Sequence, residues 1–269
     1  MKKILLTLMI CVCTLSINAQ TKYPNVVIST NYGDMKVMLY DDTPRHSEYF
    51  LKLVRQKYFD GTLFHRVMKN FMIQGGAQDS RNAPAGAAVG AGSNTMKIMP
   101  EILPNHYHRK GALSAPRLDD DVNPQRKSDM SQFFIVQGKV LRLTYMDSLE
   151  MQVNVPIKNK LIRKHYMPYK DELDNLKTTD ARKFNALLDS VLGMVDSLYN
   201  CAPDKFTFPK EQRQYYSTDG GERSLDGKYS VYGQVIEGLD VIDKIAALPT
   251  DQRNRPKKDA KILRVYVVK

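Results

Sequence analysis

Arg66 stands inside a mostly apolar run, Tyr58-Phe-Asp-Gly-Thr-Leu-Phe-His-Arg-Val-Met-Lys-Asn-Phe-Met-Ile-Gln-Gly-Gly76. Phe64-His65-Arg66 alternates apolar and polar, as a half-buried strand does. Phe71-Met72-Ile73-Gln74 reads as a second short strand, with Lys69-Asn70 as the turn between them. Two adjacent strands would bring Arg66, Phe71, Met72 and Gln74 together. The chemistry on offer is an apolar pocket with a cation and an amide at its lip, suited to holding a neutral group and aiming a hydrogen-bond donor at it.

The flanking sequence supplies the elements that must position this pocket. Residues 26–30 and 35–40 predict two strands around the turn Asn31-Tyr32-Gly33-Asp34. Thr43 and Pro44 predict the N-cap and first residue of a helix. Its buried stripe would be Phe50, Leu51, Val54 and Tyr58. Residues 77–95, rich in Gly, Ala, Ser and Asn, predict a long surface loop. Short strands are expected at 111–115, 132–137, 228–235 and 262–268. A second helix should begin at 237–240 and bury Val241, Ile242, Ile245 and Ala246. Short strands interrupted by two helices predict a mainly β fold, a closed antiparallel barrel with two capping helices.

Three blocks in order carry a family resemblance: FHRV…NFMIQGG at 64–76, Ser131-Gln132-Phe133-Phe134-Ile135, and Leu225-Asp226-Gly227-Lys228-Tyr229-Ser230-Val231-Tyr232-Gly233-Gln234-Val235. The chain resembles the cyclophilin-type peptidyl-prolyl cis/trans isomerases. The resemblance covers 25–139 and 224–269, and implies a cyclophilin-like barrel there. It implies Arg66 and Gln74 as catalytic residues, with Gln74 orienting the arginine. It implies Phe71, Met72, Phe134, Leu225 and Tyr229 as the proline pocket and Gln132 as a polar residue beside the groove. Tyr229 stands where many members carry histidine, Ser224 where some carry tryptophan, and Pro116-Arg117 where a backbone segment faces substrate. Proline offers no N–H there.

Residues 140–223 depart from the family pattern. Ile162, Tyr166, Tyr169, Leu173 and Leu176 predict one amphipathic helix, kinked at Pro168. Phe184, Leu187, Leu188, Val191, Leu192, Val195 and Leu198 predict a second, with Thr179-Asp180 offering its N-cap. A further helix is expected near 146–153. Pro203, Pro209 and Asp219-Gly-Gly221 read as the return path. The expected unit is a largely self-contained α-helical insertion that binds an unknown partner.

Met1-Lys2-Lys3, an apolar stretch to about Ile17 and Ala19 predict a signal peptide over 1–19. The expectation is an exported protein of a bacterial periplasm, ahead of a lipoprotein or extracellular fate. Formal net charge is +11, and loss of Lys2 and Lys3 lowers it to +9. Such a balance suits acidic clients or peripheral contact with an anionic envelope surface. No nucleic-acid motif accompanies it. Of the three cysteines, only Cys201 lies beyond the leader; no internal disulfide follows, and burial of that thiol is expected. His106 and His108 would share a strand face, but no further ligands stand at a familiar spacing, so no metal or cofactor is expected. The reading is a prolyl isomerase acting on unfolded, proline-containing polypeptides during folding of exported proteins. The alternative is a proline-peptide-binding or chaperone module with little catalysis.

Overall fold

The computed structural model describes residues 23–93 and 95–268. The expected leader at 1–19 lies outside them. In chain order the elements are β1 (Asn25–Thr30), β2 (Gly33–Leu39), α1 (Pro44–Arg55), β3 (Arg66–Met68), β4 (Met72–Gly75), β5 (Lys97–Ile98), β6 (Ala112–Ser114), β7 (Ser128–Asp129), β8 (Phe133–Val136), α2 (Leu143–His165), α3 (Lys170–Thr179), α4 (Ala181–Asn200), α5 (Lys210–Thr218), β9 (Val231–Glu237), α6 (Leu239–Ala246) and β10 (Ile262–Val268).

Eight strands form one antiparallel sheet in the order β10-β1-β2-β9-β6-β8-β4-β3. The expected closure is incomplete, because β3 and β10 remain its two edges. Three residues make up β3, and each is paired to β4. The edges are tied only by an isolated bridge between Leu63 and Lys261 and by backbone bonds such as Phe64 N to Ala260 O. The result is a curled half-barrel. Helix α1 packs on β9 and β10, and α6 on β2, β3 and β4. Phe50 on α1 anchors the core, 5.3 Å from the Phe59 ring, 5.8 Å from Phe133 and 5.6 Å from Tyr232. Each such buried aromatic contributes about 1.5–3 kcal/mol over an exposed one.

Thr43 occupies the N-cap position of α1, but its hydroxyl makes no capping bond. Glu101 replaces it, accepting from the Arg45 and His46 amides at 3.2 and 3.0 Å. A carboxylate meets the positive end of the helix more strongly than a hydroxyl does. The same carboxylate lies 2.6 Å from His46 Nδ1, whose Nε2 is 2.8 Å from Ser128 Oγ. The expected strand at 228–235 starts later, at Val231, after a 3₁₀ turn at Arg223–Leu225 and a positive φ at Gly227.

Four helices lie between β8 and that turn. Helix α2 runs through Pro156, longer than the pattern near 146–153 suggests. The predicted kink at Pro168 is a full break: a 3₁₀ turn over Met167–Tyr169 separates α2 from α3. Asp180 caps α4, accepting from the Arg182 and Lys183 amides. Helix α4 packs on α2 and α3, whereas α5 packs on α2. Cys201 is exposed, not buried. It ends α4 as its C-cap and borders an open groove with Leu198 and Pro203. Among the described residues, no helix is long and apolar enough to cross a membrane.

Candidate active site

The β3–β4 hairpin brings the signature residues together. Asn70 turns it with φ 63°, a conformation that asparagine tolerates. Arg66 then lies opposite Gln74 in register. Gly76 follows with φ 94°, and a Cβ there would lie 2.8 Å from the Phe59 ring. The glycine pair therefore lets the chain leave β4 across the core.

One cavity of about 260 Å³ is lined by Arg66, Phe71, Met72, Gln74, Pro116, Arg117, Phe134, Leu225 and Tyr229. Seven of the eight residues singled out from the sequence share it. Gln132 does not; it stands behind Gln74 and lines a shallower neighbouring cavity with Gly90, Lys97 and Asp129. Strand β8 pairs with β4, so Phe134 sits directly opposite Gln74. Met72, Phe134 and Leu225 are buried and Tyr229 is partly so. The Tyr229 ring stands edge-on to Phe134 at 5.9 Å, and the Arg117 guanidinium lies 4.9 Å from its centroid.

A chain of amides fixes the polar lip. Arg66 Nη1 donates to Gln74 Oε1 at 3.2 Å. With that carbonyl engaged, the Gln74 amide nitrogen donates to Gln132 Oε1 at 2.7 Å. Gln132 Nε2 donates in turn to the Gly90 carbonyl at 3.0 Å. Each orientation follows from the one before it. The 77–95 loop thus ends the chain, and it is itself pinned. Asp79 accepts from the Gly90 and Ala91 amides. Arg255 donates to the carbonyls of Pro84 and Ala87. Beside Arg66, burial pushes the His65 imidazole below its ordinary pKa. The remaining Arg66 donors face the cavity without a carboxylate partner among the described residues.

Behind the apolar wall lies a cluster that spacing did not reveal. The His108 ring stacks 6.1 Å from Phe134 and stands edge-on to Tyr229 at 6.3 Å. Asp226 accepts from His108 N at 2.8 Å and lies 3.0 Å from its Nδ1. The other carboxylate oxygen accepts from Gln212 Nε2 at 2.7 Å and from the Tyr216 hydroxyl. Gln212 and Tyr216 belong to α5. Burial, and then the Asp226 charge, push the Tyr216 phenol far up, so it remains a donor. The two histidines expected to share a face part company. His106 pairs with Asp42 at 2.6 Å and stacks on Tyr40, away from His108. The neighbouring Ser224 is exposed and lines a different cavity from the one that Arg66 lines.

This half-barrel and its helices have the cyclophilin fold. A solved cyclophilin-type isomerase of Cryptosporidium parvum, studied in the presence of the dipeptide Ala-Pro, superposes with a TM-score of 0.52 at 18% identity. The match covers 91% of this chain and 99% of that one. The sequence matches the family described as cyclophilin type peptidyl-prolyl cis-trans isomerase/CLD over residues 25–154 and 192–267. The chain therefore belongs to the cyclophilin-type peptidyl-prolyl cis-trans isomerase family, and that is its enzyme class. An Arabidopsis thaliana peptidyl-prolyl cis-trans isomerase is 24% identical, over 91% of this chain and 94% of the relative. A putative bifunctional phosphatase/peptidyl-prolyl cis-trans isomerase of Streptococcus pyogenes is 27% identical over 91% of this chain. This chain spans only 38% of that protein's length.

Proposed function

We propose that the protein rotates X-Pro bonds in polypeptides, with Arg66 as the donor to the prolyl nitrogen, and that its clients are exported proteins in the course of folding. The observation that carries the reading is the single cavity. It gathers Arg66, Gln74, Phe71, Met72, Phe134, Leu225 and Tyr229 from three distant blocks of sequence.

Rotation about a peptide bond crosses a barrier of about 18–20 kcal/mol. No covalent bond breaks, so neither nucleophile nor base is required. In the planar amide the nitrogen lone pair is delocalised and accepts no hydrogen bond. In the twisted state it is localised and accepts one. A donor aimed at that nitrogen therefore favours the transition state over both ground states. A charged hydrogen bond contributes about 1.5–3 kcal/mol. A 10⁴-fold acceleration needs roughly 5.5 kcal/mol. Arg66 alone falls short. The remainder comes from the apolar walls, which hold the proline ring in a site that sheds water while the preceding carbonyl turns. Gln74 positions the guanidinium through its 3.2 Å bond.

The export part of the reading rests on the amino-terminal pattern of residues 1–19. Within this reading the helical segment at 140–223 is the client-facing addition to the catalytic unit. A second reading, a proline-peptide binder with little catalysis, is favoured by one observation. Pro116 lines the cavity and has no N–H to offer a bound backbone. Tetrapeptide isomerisation by wild type and Arg66→Ala separates the two. The isomerase reading expects a loss of at least about tenfold in kcat/KM, or 1.4 kcal/mol, with circular dichroism unchanged. Equal rates for the two proteins, or binding without turnover in the wild type, favour the second reading.

A further inference from the structure

Beside the proline cavity lies another, of about 380 Å³. The stretch from 223 to 229 is the ridge between them. Leu225 and Tyr229 face the first cavity, whereas Arg223, Asp226 and Lys228 line the second. The opposite wall is Phe206 and Gln212, from the helical segment. We propose that this second cavity is a subsite for an acidic side chain of the polypeptide whose X-Pro bond is being turned. The proposal rests on the isomerase reading above.

Charge and geometry carry it. The Arg223 guanidinium lies 5.0 Å from the Phe206 centroid and 5.1 Å from that of Phe208. Those two rings meet edge to face at 5.0 Å. Aromatic faces hold a guanidinium in place without neutralising it. The carboxylates at hand, including Asp226 in the cavity wall itself, already have donors of their own. Asp226 is taken by His108, Gln212 and Tyr216. Glu222 accepts from the amide and hydroxyl of Ser224. Among the described residues neither Arg223 nor Lys228 enters an ion pair. Arg117, across the ridge, differs: its guanidinium is already paired with Asp120. The second cavity therefore offers a pre-positioned, unpaired guanidinium and an ammonium. A carboxylate is the side-chain group that matches such a fork.

The path is short. Residues of an extended peptide advance about 3.4 Å each. A chain leaving the proline cavity has one turn of backbone to cross, so residues close to the proline on one flank reach Arg223. Acidic clients would gain rate there, and the gain would depend on salt.

Cis–trans exchange measured by NMR on matched peptides tests this. One peptide carries Ala on both sides of an Ala-Pro bond; two others carry three Glu residues on the amino or the carboxyl flank. The expected result is about a fivefold higher kcat/KM for one Glu peptide over the Ala peptide at low ionic strength. That ratio should fall towards one in about 0.5 M salt, where exposed charges are screened. It should collapse in Arg223→Ala and shrink in Lys228→Ala. A wild-type ratio of one for both Glu peptides overturns the subsite, as does a ratio that survives both variants. Failure to turn over any peptide would count against the isomerase reading instead. The same ratio, read from the dissociation constants of the three peptides, would then decide the subsite.

Discussion

The sheet and the helices that interrupt it bury very different amounts of side chain. Around the sheet and α1, Phe50, Phe133 and Tyr232, with Phe59 and Phe64 from the link between α1 and β3, are wholly enclosed and touch one another. Helices α3 and α4 enclose little more than Leu173, Val191 and Val195, and they leave Leu192, Met194 and Leu198 open. Within the helical segment the exceptions are α5 and the start of α2, whose Met146 is buried in one cluster with Tyr216, Leu141 and Phe208. Tyr216 of α5 is as buried as the barrel's own aromatics, and Leu141 N donates to its carbonyl at 2.8 Å. Burial thus sets the far helices, α3 and α4, apart from the near one. That one helix, through Asp226 and His108, is framed in behind the Phe134–Tyr229 wall of the cavity that Arg66 lines. Helix α4 leans on α2, and α3 on α4.

The strongest way to break this comparison is to remove the buried ring. Tyr216→Ala should cost about 3–4 kcal/mol of stability, the range for emptying an aromatic site. Chemical denaturation checks it; a cost below 1 kcal/mol would place α5 with the loose helices. Tyr216→Phe sharpens it. The ring stays and only the bond to Asp226 goes, for about 1–2 kcal/mol. Tetrapeptide kcat/KM should fall with it, because Asp226 holds His108 against Phe134 and Tyr229. An unchanged rate would confine α5 to a stabilising role.

The smallest effect concerns pH, and it belongs to the sheet side. Burial pushes the imidazoles of His46 and His65 below their ordinary value. Both therefore bind a proton less readily in the folded chain than in the unfolded one, where they take it up near pH 6.5. The unfolded chain then binds more protons, so stability is full above about pH 6.5 and falls as the pH drops below it. Denaturation at pH 7.5 and 5.5 should differ by roughly 1 kcal/mol or more. His65→Phe should reduce that difference. A stability that rises on acidification would contradict the burial argument.

The proline cavity was legible because its residues lie in short blocks whose pairing follows from alternation and a turn. Arg66 opposite Gln74 is such a case. The stripes of α4 were legible for the same reason, since Val191 and Val195 repeat at helical spacing. Helix α5 was not. Its sequence, Lys-Glu-Gln-Arg-Gln-Tyr-Tyr-Ser-Thr, carries no apolar period. Its hold rests on one buried ring, Tyr216, whose hydroxyl donates to a carboxylate ten residues further on. Glu101 as the cap of α1 was hidden likewise, by a separation of more than fifty residues.

The tie that α5 makes between the helical segment and the cavity lined by Arg66 has a direct test in two shortened chains. Ile157 and Pro203 border one groove, so a short Gly/Ser linker can replace 158–202 and keep α5. A second chain replaces 141–219 and loses it. The measurement is tetrapeptide kcat/KM for both, at equal circular dichroism in the strand region. The first chain should stay within about twofold of wild type, and the second should fall at least about tenfold. Equal activity of the two chains, whether kept or lost together, would contradict the tie.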